Sequence, residues 1–199
     1  MGRASLSQEA VVGFRRKMTG AALKLFAEQG YEAVTMRAIG TALGVSPMTP
    51  YRYLEGKDEL FDLVRAEAFR RFAEALERAL ARPGTPTERL EYLKRAYVKF
   101  AVAEPDAYRV MFELKQPDRP DSPELAAESK RAFGCLRRTV AEAVEAGELE
   151  GDPLTLAHLL WANTHGLVML HLAGKLIMGR SLAKLAAISH ELPTARRKR

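Results

Sequence analysis

The amino-acid sequence predicts an all-α protein of about nine helices, with an N-terminal three-helix domain that contains a helix-turn-helix and a larger C-terminal helical bundle. Apolar residues recur at helical spacing in nearly every segment, and no stretch shows the alternation of a half-buried strand. Clusters of glycine, proline and small polar residues separate the segments. The chain of 199 residues is 47% apolar and 28% charged, which is typical of a globular protein with a sizeable core.

The first three helices are predicted from apolar spacing and from residues that favour helix ends. The first is expected at about residues 8–29, where Gly30 stops it; its apolar positions are Met18, Ala22, Leu25 and Phe26. Thr35 can cap a short second helix that carries Met36, Ile39 and Leu43. Ser46 can cap a third helix with Pro47 at its first position, where a proline loses no hydrogen bond.

Six more helices are expected in the rest of the chain. Their ranges are about 57–81, a stretch from Leu90 to near Glu104, 106–114, 125–144, 153–174 and 181–192. The proline- and glycine-containing stretches 82–87 and 116–123 are expected to be a turn and a loop. We divide the chain into residues 1–57, residues 58–193 and a basic tail, 194–199, that is expected to be disordered.

The positive charge of the chain is concentrated at its two ends. The formal net charge is +6 at pH 7. Residues 1–57 hold eight Lys and Arg against four Asp and Glu, and residues 191–199 hold four against one, so the remainder is close to neutral. This distribution suggests a localised surface for a polyanion, although a generally basic soluble protein would also fit.

Cysteine content and hydropathy indicate a cytoplasmic protein. Cys135 is the only cysteine, which excludes a disulfide within the chain, and residues 1–18 lack the apolar run of a secretory signal. Residues 153–174 contain no charged side chain and are long enough to span a bilayer. Three histidines and an asparagine in this stretch favour a helix buried between the core and a partner subunit, so we expect no membrane partner.

Residues 35–54 have the form of a helix-turn-helix, whose second helix enters the major groove of DNA. Gly44 can adopt the positive φ that a tight corner requires. Gly40 is small enough for the following helix to cross closely, and Val45 supplies an apolar side chain just after the corner. The pattern predicts a segment that presents Met48, Thr49 and Arg52 to the edges of base pairs.

The same residues closely resemble the TetR family of regulators. The matching phrases, across about residues 10–62, are Leu25-Phe-Ala-Glu-Gln-Gly30, Thr35-Met-Arg37-Ala-Ile39, Gly44-Val-Ser46 and Tyr51-Arg-Tyr53-Leu54-Glu-Gly-Lys57. Leu54 replaces the usual aromatic residue, and Pro50 replaces the usual apolar residue of the recognition helix. Because Pro50 has no N–H, it removes one intrahelical hydrogen bond and is expected to distort that helix slightly.

The resemblance implies a DNA-binding role for ten residues, which are Thr35, Arg37, Ser46, Pro47, Met48, Thr49, Tyr51, Arg52, Tyr53 and Lys57. Of these, Thr35 and Ser46 would present hydroxyls and amides to phosphate, or would act only as helix caps. Tyr53 would touch DNA or only pack, and Lys57 would contact phosphate. The side chains of Arg15, Arg16 and Lys17 either contact phosphate or form a solvated face.

The C-terminal half carries a second resemblance, to the TetR subgroup with a Trp…His-Gly phrase, here Trp161-Ala-Asn-Thr-His165-Gly166. In that subgroup this region binds a ligand and forms the dimer. The residues expected at a small-molecule pocket are Tyr108, Met111, Phe112, Phe133, Leu136, Trp161, Thr164, His165 and Met169. Each of them is also compatible with an ordinary core position.

Taken together, these patterns predict a regulator rather than an enzyme. We expect a repressor that binds a near-palindromic operator on double-stranded DNA and is released by an unknown small molecule. It would act as a homodimer through helices 153–174 and 181–192. No catalytic motif, cofactor motif or metal-ligand spacing is present, since His158 and His165 lie about 10 Å apart along a helix. The alternative is a helical ligand-binding or adaptor protein without a DNA role.

Overall fold

A computed structural model of the protein describes residues 8–114 and 119–188, and all regular structure within them is helical. The helices are α1 (Gln8–Ala33), α2 (Met36–Ala42), α3 (Lys57–Leu80), α4 (Pro86–Ala103), α5 (Pro105–Phe112), α6 (Pro123–Glu145), α7 (Pro153–Leu172) and α8 (Leu182–Ile188), with a 3-10 helix at Pro50–Arg52 between α2 and α3. The predicted all-α class is confirmed, and the predicted count of about nine helices is close. The predicted tail and the end of the last predicted helix lie outside the described residues.

Most helix ends lie where short-range sequence signals place them. Gly30 interrupts α1 with φ 80° and ψ 166°, which ends the regular helix at the predicted residue. At the start of α4, Thr85 and Glu88 form a reciprocal capping box with Pro86 just inside the helix. At the start of α7, the Asp152 carboxylate accepts a hydrogen bond from the Thr155 N–H. These caps satisfy backbone donors that the first helical turn leaves without partners.

The chain forms two compact units, and the division falls inside helices rather than at a linker. The first unit contains the described residues up to Phe69 together with Asp106–Ala127, and the second contains Arg70–Pro105 and the described residues from Glu128 onward. The first unit therefore includes the helix-turn-helix, the N-terminal part of α3, α5 and the start of α6. The predicted boundary at residues 57/58 divides a DNA-binding domain from a ligand-binding and dimerisation domain rather than two compact units, and it stays a prediction.

The core of the first unit is built mainly by α1, α2 and α3. Its buried side chains include Met18, Phe26, Ile39, Leu60, Phe61 and Val64, and Val110 of α5 joins them. The Phe26 and Phe61 rings meet edge to face with centroids 4.8 Å apart. Burial of this many large apolar side chains gives the small helix-turn-helix a rigid support.

The second unit has its own core. One cluster consists of Val140, Leu156 and Ala157, with the partly buried Leu90, Phe133, Leu136, Val144, Leu149 and Leu160 packed against it. A second contact is aromatic, because Phe72 of α3 lies 5.1 Å from the ring centroids of both Tyr97 and Phe100 of α4. The core of this unit thus contains a largely aliphatic cluster and a group of aromatic rings.

Candidate DNA-binding and effector sites

The corner of the helix-turn-helix depends on two glycines. Gly44 has φ +67°, a conformation that L side chains adopt only with strain. A Cβ atom at Gly40 would lie 3.1 Å from the Cα of Pro47 and 3.2 Å from the carbonyl oxygen of Ser46. The close crossing predicted at Gly40 and the turn predicted at Gly44 are therefore both present. Thr35 caps α2, since its hydroxyl accepts a hydrogen bond from the Ala38 N–H at 3.2 Å.

Residues 46–53, which we call the reading segment, do not form the predicted third α-helix. They form a turn followed by the 3-10 helix Pro50–Arg52. The backbone N–H groups of Thr49, Arg52 and Tyr53 each donate to the carbonyl three residues earlier, at 2.8, 3.0 and 3.0 Å. Pro50 has no N–H with which to continue an α-helical pattern from Ser46, which explains the difference from the prediction. The departure from α-helix is larger than the slight distortion, caused by one lost hydrogen bond, that the sequence predicted.

The predicted cap at Ser46 is also wrong in detail. Its hydroxyl accepts from the Met48 N–H at 3.4 Å, a contact that belongs to a turn rather than to the first turn of an α-helix. The same hydroxyl is exposed and stays available to solvent or to a ligand.

The reading segment is held in place from α1. The Tyr53 ring stacks on the Phe14 ring with centroids 4.3 Å apart and an interplanar angle of 27°. The Arg15 guanidinium donates to the Tyr53 carbonyl oxygen at 2.8 Å and lies 3.5 Å from the Glu59 carboxylate. Pro50 and Leu54 are buried. Sequence reasoning missed the supporting role of Phe14 and Arg15, because a contact across 38 residues leaves no local pattern.

Most of the side chains predicted to contact DNA are exposed. Met48 is 66% exposed and Tyr51 46%, which is high for large apolar and aromatic side chains. The other exposed members of the predicted set are Thr35, Arg37, Ser46, Pro47 and Arg52, while Thr49, Tyr53 and Lys57 are half-buried. Met48 and Thr49 precede the 3-10 helix, which carries Tyr51 and Arg52.

Lys57 has protein partners at the start of α3. Its ammonium donates to the carbonyl oxygens of Tyr31 at 3.0 Å and Glu32 at 3.4 Å, and lies 4.2 Å from the Tyr31 ring centroid. Lys57 therefore satisfies carbonyls at the end of α1, a role that the sequence did not suggest. An ammonium has three donors, so one remains for the predicted phosphate contact.

Part of the predicted effector site forms an aromatic cluster in the second unit. The Phe133 ring centroid lies 4.8 Å from that of His158 and 5.9 Å from that of Trp161. Trp161 is 6.2 Å from the His165 ring. The His165 Nδ1 lies 3.3 Å from the Tyr97 hydroxyl, and burial lowers the pKa of His165. Since burial disfavours the imidazolium, a neutral imidazole is paired with a phenol inside an aromatic wall.

The remaining predicted pocket residues have varied surroundings. Leu136 packs against the aliphatic core, and the Thr164 hydroxyl donates to the Leu160 carbonyl at 3.0 Å. Met169 is half-buried. Tyr97 and His158 were not predicted, although Tyr97 belongs to the apolar stripe of its helix.

Tyr108, Met111 and Phe112 belong to the first unit, apart from the aromatic cluster. Tyr108 is fully buried and Met111 is 3% exposed. The Phe112 ring lies 4.9 Å from Tyr108 and 5.5 Å from Phe69 of α3. The pocket assignment of these three residues stays a prediction, and their visible contacts join α5 to α3.

Helix α7 leaves large apolar side chains uncovered. Leu154 is 50% exposed, Leu159 is 51% and Leu170 is 47%. Within this helix only Leu156, Ala157 and Val168 are buried. Helix α7 is therefore an unusually apolar part of the surface of the described residues.

The described ranges contain neither a membrane-spanning helix nor a cluster of metal ligands. No helix there combines the length and apolar character needed to cross a bilayer. No group of three His, Cys, Asp or Glu residues in those ranges is arranged to hold a metal ion.

Comparison with known proteins places both halves of the chain. Residues 19–64 match the family model for bacterial regulatory proteins of the tetR family, and residues 90–189, just over half of the chain, match that for the tetracyclin repressor-like C-terminal domain. The chain belongs to the TetR family. Its C-terminal match does not test the Trp…His-Gly subgroup, which stays a prediction.

Individual relatives of this TetR-family chain are similar over part or all of its length. The HTH-type transcriptional repressor KstR of Mycolicibacterium smegmatis is 32% identical over 93 residues, which are 47% of this chain and 46% of KstR. The chain spans less than half the length of the curated relatives it matches.

Solved structures show the same fold. A protein of unknown function from Rhodococcus sp. RHA1 has a TM-score of 0.78 at 22% identity, with 95% of this chain and 96% of that chain covered. The regulator FadR from Bacillus subtilis, solved in complex with stearoyl-CoA, has a TM-score of 0.77 at 19% identity, with 90% and 97% covered. At these identities the likeness concerns the fold alone.

Proposed function

We propose that this TetR-family protein is a transcriptional repressor that binds a near-palindromic operator as a homodimer and is released by a small molecule. The observation that carries the DNA role is the exposure of Met48, Tyr51 and Arg52 on a segment whose backbone is fixed from behind. Side chains that are exposed yet held on a rigid support are suited to reading base edges.

Two exposed side chains of the reading segment suit different bases. The sulfur and methyl of Met48 can contact a thymine methyl, and the Arg52 guanidinium can donate two hydrogen bonds to guanine. Thr35, Ser46 and the free donor of Lys57 would contact phosphates, which position the protein without reading sequence. Thr49 and Tyr51 would add contacts to the DNA beside them, and Arg37 would reach the groove from α2.

Selection of DNA from a random library with the purified protein tests this role. We expect a near-palindromic sequence whose half-sites lie about one helical turn, about 34 Å, or a multiple of that, apart. Affinity should fall steeply as salt rises, because phosphate contacts release counterions.

A pair of arginine variants provides the control. Arg52→Ala should lower affinity and relax base preference at one operator position, with a discrimination loss of about 1–3 kcal/mol. Arg95→Ala removes an equally charged exposed residue from α4 of the second unit and should keep the base preference. A protein that selects no sequence and shows no salt-dependent affinity would instead be the helical adaptor.

The proposed effector site is the aromatic cluster around Trp161. Phe133 and Trp161 offer flat apolar surface, and the neutral His165–Tyr97 pair can donate or accept a hydrogen bond. This chemistry suits a molecule with an aromatic or long apolar body and at least one uncharged polar group near the imidazole.

Trp161 is the only tryptophan in the chain, so its fluorescence reports directly on this site. We expect a metabolite panel that includes stearoyl-CoA, the ligand of the Bacillus subtilis FadR complex, to contain a compound that changes the emission and releases operator DNA. His165→Gln should weaken that compound's binding, whereas His171→Gln, at an exposed position of the same helix, should not. A compound that binds without changing operator affinity by more than about twofold would refute the coupling.

The coupling that we propose runs from α5 to α3. Phe112 of α5 contacts Phe69 of α3, and Val110 lies in the same core as Leu60 and Val64. A shift of α5 on effector binding would therefore move α3, which begins directly after the reading segment. Displaced reading segments no longer match both half-sites at once.

A further inference from the structure

The end of the reading segment is held by constraints on three successive residues. The Tyr53 carbonyl oxygen accepts a hydrogen bond from Arg15 Nη2 of α1 at 2.8 Å. The Leu54 side chain is buried, with 4% exposure. The Glu55 backbone N–H donates to Glu59 Oε2 of α3 at 2.7 Å. The chain that leaves the 3-10 helix therefore has little conformational freedom before α3 begins.

Arg15 and Glu59 also contact each other, so the two polar constraints depend on one pair of side chains. Arg15 Nη2 lies 3.5 Å from Glu59 Oε1, while the other oxygen of the same carboxylate holds the Glu55 N–H. We call Arg15 and Glu59 the clamp pair. Both of its members belong to the first unit, as does the whole reading segment.

The ring of Tyr53 is fixed by the neighbour of Arg15 in α1. Phe14 stacks on this ring, with centroids 4.3 Å apart. Because Phe14 and Arg15 are consecutive residues, one turn of α1 holds both the side chain and the carbonyl group of Tyr53. Two contacts on opposite parts of one residue restrain its rotation as well as its position.

The reading segment depends on such support from outside. A 3-10 helix of three residues has few hydrogen bonds of its own, and their geometry is poorer than in an α-helix. Carbonyl groups at a helix end have no donor within the helix, and Arg15 supplies one to Tyr53. Arg52, which we expect to read a base, directly precedes Tyr53, so their Cα atoms lie about 3.8 Å apart. A displacement of the Tyr53 backbone therefore displaces Arg52 as well.

The contacts of Arg15 indicate a role other than the phosphate contact or the solvated side chain that the sequence left open. Its Nη2 is engaged by Tyr53 and Glu59, and its Nε is buried. The Glu59 carboxylate also offsets the positive charge that would attract a phosphate. The guanidinium is thus better placed to hold the protein backbone than to bind DNA.

We propose that Arg15 and Glu59 are positioning residues, which fix the reading segment so that its side chains distinguish between bases, and that neither residue contacts DNA. This inference rests on the proposed function, because it requires the reading segment to read operator DNA. Phosphate contacts hold a protein on DNA without reading sequence, whereas a precise site requires its side chains to be held within about 0.5 Å. The expected signature of losing the clamp pair is therefore a loss of base discrimination.

The experiment compares the selected operator with one in which the most strongly preferred base pair of each half-site is replaced. Affinity for both DNAs is measured by fluorescence anisotropy for the wild type, Arg15→Ala, Arg15→Lys and Glu59→Gln. We expect the ratio of the two affinities to be at least about tenfold in the wild type, and to fall by about threefold or more in Arg15→Ala and Glu59→Gln. Arg15→Lys should keep more of it, because an ammonium can still donate to the Tyr53 carbonyl.

The affinity ratio separates positioning from a phosphate contact and from misfolding. Glu59→Gln removes a negative charge, so it should raise affinity for any DNA while it lowers the ratio, a combination that the loss of a phosphate contact does not give. A smaller folded fraction lowers both apparent affinities equally and leaves the ratio unchanged. Arg16→Ala is the matched control, because it removes the same charge from the next, exposed residue of α1. It should keep the wild-type ratio.

The outcomes distinguish this inference from the proposed function. A wild type that selects no sequence refutes operator recognition itself. A wild type that discriminates, with either Arg15→Ala or Glu59→Gln discriminating equally well, overturns the role of the clamp pair alone. In that case a logarithmic salt slope flattened by about 0.9 in Arg15→Ala would assign Arg15 to a phosphate contact. If Arg15→Ala does not fold, Glu59→Gln decides, since a pair that is 43% and 37% exposed contributes little to stability.

Discussion

The reading segment and helix α7 both expose large apolar side chains, but their surroundings are opposite. The reading segment is short, contains two prolines and is fixed by Phe14, Arg15 and Gly40. Helix α7 is 20 residues long, has no Asp, Glu, Lys or Arg, and leaves Leu154, Leu159 and Leu170 about half exposed.

This difference in surroundings distinguishes a surface suited to DNA from a surface suited to another apolar helix. Met48 and Tyr51 are few and lie among polar and basic neighbours, as expected for a surface that meets the polyanion DNA. The leucines of α7 have no lysine or arginine between them and bury further apolar area only against another apolar surface. A second copy of the same helix offers such a face.

The largest expected effect comes from a charge on the apolar helix. Leu159→Glu should raise the dimer dissociation constant by about a hundredfold or more, because the carboxylate would be buried without a partner. Analytical ultracentrifugation across a concentration range measures this. Val102→Glu, at a 47% exposed position of α4, is the matched control and should remain dimeric. Equal behaviour of the two variants would remove α7 from the dimer surface.

The next effect concerns the support of the reading segment. Gly40→Ala should destabilise the protein by about 1–3 kcal/mol, because its Cβ would meet the backbone of Ser46 and Pro47. Displacement of the segment should also lower operator affinity about tenfold, equivalent to about 1.4 kcal/mol. Urea unfolding and DNA titration measure the two quantities. Gly20→Ala has open space around its Cβ and should instead stabilise α1 by about 0.5–1 kcal/mol without affecting DNA.

A smaller effect is expected at the edge of the reading segment. Lys57→Ala should weaken binding evenly across DNA sequences and flatten the logarithmic salt slope by about 0.9, the contribution of one phosphate contact. It should also destabilise the protein by about 1 kcal/mol, since the Tyr31 carbonyl loses its donor. Lys99→Ala, an exposed lysine of α4, should change neither quantity. An unchanged slope in Lys57→Ala would mean that Lys57 stabilises the end of α1 and does not contact phosphate.

The smallest effect is a pH dependence in the second unit. Burial lowers the pKa of His165, so the folded state binds fewer protons there than the unfolded chain does near pH 6. The stability that depends on the neutral imidazole is present above the unfolded pKa of about 6.5 and is lost as pH falls through the folded pKa. Thermal unfolding between pH 8 and pH 5 should therefore show a steeper decline in the wild type than in His165→Gln. Parallel curves would contradict this.

Local signals explain most of the fold that the sequence predicted. Gly30 and Pro153 act within a few residues of themselves, so the helix ends there were predicted closely, whereas the Thr85 capping box starts α4 at Pro86, inside the stretch 82–87 that was predicted as a turn. The conformation of the reading segment was predicted less well. Its departure from α-helix follows from the missing N–H of Pro50, and the helical pattern of side chains does not show how far the effect of that loss extends.

Among the site residues, too, those marked by a local sequence motif were predicted and those defined by long-range contacts were not. The exposed readers followed from a motif with fixed spacing, whereas their support by Phe14 and Arg15 did not. The pairing of Tyr97 with His165 joins positions 68 residues apart, and that of Arg15 with Glu59 joins positions 44 apart. A single sequence contains no periodic signal for such contacts, because they arise only when the helices have packed.

The support behind the reading segment has a consequence for divergence among regulators of this kind. The residues that fix its backbone, Phe14, Gly40 and Pro50, are largely distinct from Met48, Tyr51 and Arg52 on its outer side. Substitutions at the outer positions cost little folding free energy, so they can accumulate without loss of the fold. A duplicated gene could in this way acquire a new target sequence through a few changes while keeping its shape.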